Sequence, residues 1–126
     1  MRLTLTNQGY APVPVAAADG GGWVRSAEPN TDLRINEPTY VIVIGEKPEF
    51  LKDIGHALEA FTGLVTTWKA RSREVSGDVV LAMLIQNDGD KPVKVILGDP
   101  NHDRTVNPND RFSASANLYM EILDGG

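Results

Sequence analysis

The chain has no cysteine among its 126 residues, which excludes thiol catalysis, Cys-ligated zinc and structural disulfides. Histidine is scarce as well. With only His56 and His102, and neither His-x-His nor His-Glu-x-x-His, one chain cannot assemble a three-His zinc or iron site. Aromatic residues make up 6%, few for a stacking surface built from several rings. Positive charge is in deficit: 12 Lys and Arg against 17 Asp and Glu leave a net charge of −5. That balance argues against sequence-independent nucleic-acid binding and against attraction to an anionic membrane. No apolar run approaches the roughly 18 residues of a membrane helix. Met1-Arg2 leads into Leu-Thr-Leu-Thr rather than an unbroken apolar run, so no signal peptide is expected. The expected location is the cytoplasm or a virion that incorporates the protein.

What is present is ordinary globular composition, 41% hydrophobic and 23% charged, at a length that suits one domain. The informative feature is an internal repeat. Asn7-Gln8-Gly9-Tyr10-Ala11-Pro12-Val13-Pro14-Val15 and Asn87-Asp88-Gly89-Asp90-Lys91-Pro92-Val93-Lys94-Val95 share Asn-x-Gly-x-x-Pro-Val-x-Val, 80 positions apart. Arg25 through Pro29-Asn30 then matches Arg104 through Pro108-Asn109, now 79 apart. At that second offset Leu33 aligns with Phe112, Tyr40 with Tyr119, and Val43-Ile44 with Ile122-Leu123. One single-residue indel reconciles the two offsets. Turn chemistry alone explains shared Asn, Gly and Pro, but Arg25/Arg104 and Tyr40/Tyr119 are not turn residues. The pattern reads as two copies of a unit of roughly 40 residues.

Each unit reads as strands. Leu3 and Leu5 alternate with Thr4 and Thr6, and Asn7-Gln8-Gly9 supplies a reversal. Val13 and Val15 begin the return strand, which Pro12 and Pro14 should confine to an edge or a bulge. Tyr40–Ile44 is β-branched after Tyr40 and nearly all apolar, as expected of a central strand covered on both faces. Its counterpart Leu118–Leu123 carries Glu121 where the first copy has Ile42. Val79–Ile85 is expected to be the other central strand. The fold class that follows is mainly β: a sandwich or squat barrel of two tandem repeats with about four strands each, every unit covering the other's apolar face. The expected layout of this single domain, 1–126, is repeat 1 over about 2–46, a helix over about 48–71, and repeat 2 over about 79–124.

The helix is read from Leu51, Ile54, Leu58, Phe61, Val65 and Trp68, spaced 3, 4, 3, 4, 3 as one apolar seam. Lys69, Arg71 and Arg73 gather at its C-terminal end, where cations suit the helix dipole. The seam either covers the sandwich or meets another subunit, and Trp68 lies on it. Trp23 beside Gly20-Gly21-Gly22 is a second candidate interface residue, at an expected hairpin tip, with its own core and a sugar-stacking role as the other readings.

One stretch has metal-ligand spacing. In Asp99–Asp110, oxygen-bearing side chains fall at positions 1, 3, 5, 7, 9 and 12, as in a calcium loop. Asp99, Asn101, Asp103 and Asp110 are the candidate Ca2+ ligands. Arg104 stands where the helix-flanked calcium loop needs Gly, and Asp110 is shorter than the bidentate Glu. The serines lack a nucleophile-elbow context, and no carboxylate pair is marked as acid and base. No catalytic residue and no further cofactor is expected. The sequence therefore favours a non-enzymatic structural or assembly protein. It would form a homo-oligomer, a trimer or ring, or join a larger assembly such as a virion, as capsid decoration or tail component. The alternative is a calcium-dependent or carbohydrate-binding β-sandwich module.

Overall fold

Period-two alternation decides the strands of the first layer. In Arg2–Asn7 (β1), Leu3, Leu5 and Asn7 are buried while Arg2, Thr4 and Thr6 face out. The computed structural model describes residues 1–19, 22–48, 51, 58–97 and 102–115. Along these run Val13–Ala17 (β2), Val24–Ala27 (β3), Asp32–Asn36 (β4), Val41–Ile44 (β5), the helix Leu58–Ser76 (α1), Ala82–Asn87 (β6), Val93–Leu97 (β7), His102–Val106 (β8) and Arg111–Ser115 (β9). They form two sheets, ordered β4-β1-β6-β9 and β3-β2-β5-β7-β8. Leu3, Leu5, Ile35, Met83 and Ile85 of the first sheet share one core with Val13, Val15, Ile42, Ile44, Val95 and Leu97 of the second. The described strands form a β-sandwich, and neither sheet closes into a barrel among them.

The repeat is visible strand by strand. β1 and β6 are 80 residues apart, as are β2 and β7, while β3 and β8 end 79 apart, as do β4 and β9. Exchanging the copies reverses the first sheet's strand order and leaves it unchanged, and it does the same to the second sheet around β5. Leu5 lies opposite Ile85, its own counterpart, so a pseudo-twofold axis passes through that pair. In the other sheet β5 pairs Val43 with Ala16 on one side and Ile96 on the other, again counterparts. The axis therefore runs through Val43.

The copies do not lie one over the other as the sequence suggested. Each contributes strands to both sheets, and the two meet side by side along β1–β6. β2 is also not an edge strand: it sits between β3 and β5. Pro14 is tolerated there because its carbonyl accepts from Gly45, one residue past the end of β5. Its missing N–H thus falls where the ladder stops. β5 is central as expected, with Ile42, Val43 and Ile44 all 0% exposed. β6 is central too but begins at Ala82, and its outer face, with Gln86 exposed, meets solvent. Leu118–Leu123 lies outside the described residues.

The helix also departs from its expected bounds of 48 and 71. Leu51 is not helical, and α1 runs on to Ser76. Its end is set by Gly77, whose φ of +80° is that of a left-handed C-terminal cap and whose N–H donates to the Arg73 carbonyl. The seam holds from Phe61 through Val65 and Trp68 and extends to Ser72, all buried. Ile54 and His56 lie outside the described residues. α1 packs over β2 and β3, on the outer side of the five-stranded sheet. Gly45, at φ +85°, lets the Trp68 ring approach so closely that a Cβ would stand 3.2 Å from it.

Two asparagines tie the layers together. Asn7 donates through Nδ2 to the Ala11 and Ala27 carbonyls at 2.8 and 2.7 Å, and its Oδ1 accepts from the Gly9 N–H at 2.9 Å. Asn87 repeats this with Lys91, Val106 and Gly89 at 2.8, 2.9 and 2.9 Å. Both are 0% exposed. Asn7→Ala and Asn87→Ala should each cost about 2–4 kcal/mol, since truncation strands two carbonyls and a turn N–H. The check is urea unfolding: both midpoints should fall by similar amounts at unchanged slope, and a large effect at one site alone would contradict equivalent roles.

Candidate functional site

The outward residues of β1, β4 and β6 build a polar depression on the described surface, about 630 Å³ in volume. Strand alternation puts Arg2, Thr4 and Thr6 on this side of β1 and Asp32, Arg34 and Asn36 on this side of β4. Asp88, just past β6, closes one end. Thr4 Oγ1 donates to Asp88 Oδ2 at 2.5 Å, and Gln86 Nε2 donates to Oδ1 at 2.8 Å. Thr6 Oγ1 donates to Asp32 Oδ1 at 2.8 Å.

The Thr4 hydrogen bond holds the Asp88 carboxyl below its ordinary value, helped by Gln86 and by the positive charges of Arg2 and Arg34, against a smaller opposing effect of burial. An ionised carboxylate with both oxygens engaged is an acceptor and a counter-charge rather than a general acid near neutrality. The depression offers guanidinium donors, hydroxyls and fixed carboxylates, which is equipment for polar recognition. It exists on one side of the pseudo-axis only. The counterparts of Arg2, Thr4, Arg34 and Asp88 are Ala82, Leu84, Ser113 and Gln8.

Sequence reasoning did not single out these four residues. The available signal was the repeat itself, because Asp88 against Gln8 is a charge difference inside an otherwise matching Asn-x-Gly turn.

Of the residues it did single out, Asp103, Asp110, Trp23 and Trp68 are described. Asp99 and Asn101 lie outside the described residues. The calcium-loop reading treats 99–110 as one loop, but residues 102–106 form β8, where extended backbone spreads successive oxygens apart. Asp103 lies on that strand with its carboxylate 3.3 Å from Lys94 Nζ. Asp110 is exposed beyond the next turn, its backbone carbonyl accepting from Asn87 N–H. Among the described residues no three His, Cys, Asp or Glu side chains gather as a metal group.

Trp68 is 1% exposed, and its Nε1 donates to the Val80 carbonyl at 2.9 Å, so the ring is enclosed by its own chain rather than offered to a subunit. Trp23 is half-buried. Its ring packs against the core, the Arg25 guanidinium lies 4.7 Å from its centroid, and its Nε1 donates to Thr39 Oγ1 at 3.3 Å. Arg25 also pairs with Glu37. Its counterpart Arg104 caps a different ring, Phe112, again at 4.7 Å. Of the cations expected at the end of the helix, Lys69 pairs with Glu46 at 2.8 Å. Among the described residues no helix is long and apolar enough to cross a membrane. No family model, curated protein or solved structure matches the chain.

Asp88 generates a pH prediction. A depressed folded-state value stabilises the native state above the unfolded carboxylate value of about 3.9, and that contribution is lost as pH falls through the folded value. Asp88→Asn should therefore cost less than about 1 kcal/mol at neutral pH, as suits a half-exposed group. It should also flatten part of the acid limb below about pH 4. Urea midpoints of both proteins across acid pH provide the check, and parallel curves would contradict the assignment.

Proposed function

We propose that this protein is a non-enzymatic structural or assembly component that acts as a homo-oligomer, of the kind that decorates a capsid or builds a tail in a virion. The observation behind this reading is the pseudo-twofold sandwich with its open edges. Among the described strands, β4 and β9 flank one sheet and β3 and β8 the other, each hydrogen-bonded on one side only. An open edge is a template for pairing with another chain. Counterpart edges on opposite sides of one chain suit head-to-tail contacts, which close into rings when the rotation permits. The half-buried Trp23 lies at the start of the β3 edge and is the aromatic candidate for such a contact. The chemistry of the polar depression, a carboxylate fixed by two donors, also favours recognition over turnover. The virion setting rests on fold-level analogy alone.

Size-exclusion chromatography with light scattering, run in calcium and then in EDTA, tests this. The expected result is a trimer or larger ring in both buffers. A monomer in both would overturn self-assembly, and assembly in calcium alone would instead favour a cation site in the 99–110 segment.

A further inference from the structure

The pseudo-twofold axis creates a conflict that the chain resolves in one direction. Every described strand except β5 has a partner position related by the axis. β5 lies on the axis itself, with Val43 between Ala16 and Ile96. It runs antiparallel to β2 and parallel to β7. The same rotation would lay residues 120–123 in this same place, antiparallel to β7 and parallel to β2. One slot thus has two claimants, Val41-Ile42-Val43-Ile44 and Met120-Glu121-Ile122-Leu123. We infer that the slot between β2 and β7 is a strand-binding site for which both segments compete, and that Glu121 decides the outcome.

The slot is apolar throughout. Ile42 and Ile44 point into the sandwich and are 0% exposed, and so is Val43 on the opposite side. The neighbouring positions on β2 and β7 are Val15, Ala16, Ala17, Val95, Ile96 and Leu97. None can donate a side-chain hydrogen bond. Under the rotation, Glu121 takes the place Ile44 now holds, between Val15 and Leu97. A carboxylate there would lose its hydration and gain no partner, or would have to be protonated. The other three residues of the second claimant, Met120, Ile122 and Leu123, suit an apolar slot. The two segments therefore differ for this site by a single substitution, Ile42 against Glu121.

The absence of native cysteine gives a clean test. Val15→Cys with Ile44→Cys reports the first claimant in the slot. Val95→Cys with Leu123→Cys is the image pair and reports the second. The first is a directly opposed antiparallel pair at a non-hydrogen-bonded position, close enough for a disulfide, and the rotation would give the second the same geometry. In the otherwise native full-length chain, the 15–44 pair should link and the 95–123 pair should not. In the exchange variant Ile42→Glu/Glu121→Ile the preference should reverse, read by intact mass after oxidation and alkylation, with cooperative urea unfolding as the check of folding. If the exchange variant does not fold, Glu121→Ile alone serves: a part of its chains should link at 95–123. A folded exchange variant that still links 15–44 and not 95–123 would overturn the inference. So would a Glu121→Ile chain with no 95–123 link, or one linked only between chains as a covalent dimer. The test does not depend on the assembly reading, because every supporting link forms within one chain.

Discussion

A buried asparagine must find an acceptor for each amide hydrogen and a donor for its oxygen, and this requirement organises each half of the molecule. Asn7 sits at the end of β1, in the four-stranded sheet, yet its amide binds the carbonyl of Ala27 at the end of β3 in the other sheet. The same side chain holds the turn into β2 through Ala11 and Gly9. Its main chain accepts from Asn30 and donates to Thr31, which fixes the turn into β4. Asn30 adopts φ +60° there, and its counterpart Asn109 adopts +66°. Asn is the non-glycine residue best suited to that conformation. One residue, through its side chain and its main chain together, thus joins two sheets and two turns, and Asn87 does the same in the second copy. Such a network is valuable when every member is satisfied and costly when one is removed.

This explains where the two copies have diverged. Most of the residues they share serve the amide network and the core: the Asn-x-Gly turn, Pro12 and Pro92, the inward valines and the second-turn Pro-Asn. The outward faces carry no such constraint. Thr4 and Leu84 are counterparts, as are Arg34 and Ser113, and Asp32 and Arg111 differ in sign. The Arg2, Thr4, Arg34 and Asp88 depression is the product of that freedom, a polar surface on one copy of a body whose interior remains twofold.

Much of the fold was legible because it rests on local rules. Alternation at Leu3 and Leu5, the turn chemistry of Asn7-Gln8-Gly9 and the apolar run at Val41–Ile44 each specify their own backbone. The repeat added a constraint that no single segment carries. What the residues did not convey was the partner of each strand. Pro14 argues for an edge on local grounds, yet the ladder with β5 ends beside it and removes the objection. Covering of one unit by the other was the simplest packing of two β units, whereas side-by-side pairing, with each unit spanning both sheets, is the arrangement in which Asn7 and Asn87 are satisfied. Tertiary context decided both. The oxygen spacing of residues 99–110 was read as a single loop, whereas residues 102–106 run as β8 and set Asp103 beside Lys94, a strand context that the spacing alone does not convey. The depression went unread because it combines outward residues from three strands, none distinctive alone.

An odd strand on a twofold axis also accounts for the asymmetry of the surface. Two equivalent units can share the four-stranded sheet equally, two strands each. The five-stranded sheet cannot be shared equally, because one position lies on the axis and a strand has a direction. Whichever copy supplies that strand must then carry its chain away from one end of it. Here the exit is Gly45, whose positive φ turns the backbone beneath Trp68 and leads toward α1. The helix consequently covers β2 and β3. Lys94, Asp103 and Thr105 of β7 and β8 remain exposed on the same side of the sheet. Among the described residues the helix therefore makes the two edges of this sheet unlike each other, while β4 and β9 carry different side chains on counterpart strands. In any assembly that exploits the internal symmetry, the four-stranded sheet is the layer able to offer matching backbone edges. The five-stranded sheet can offer only distinct ones.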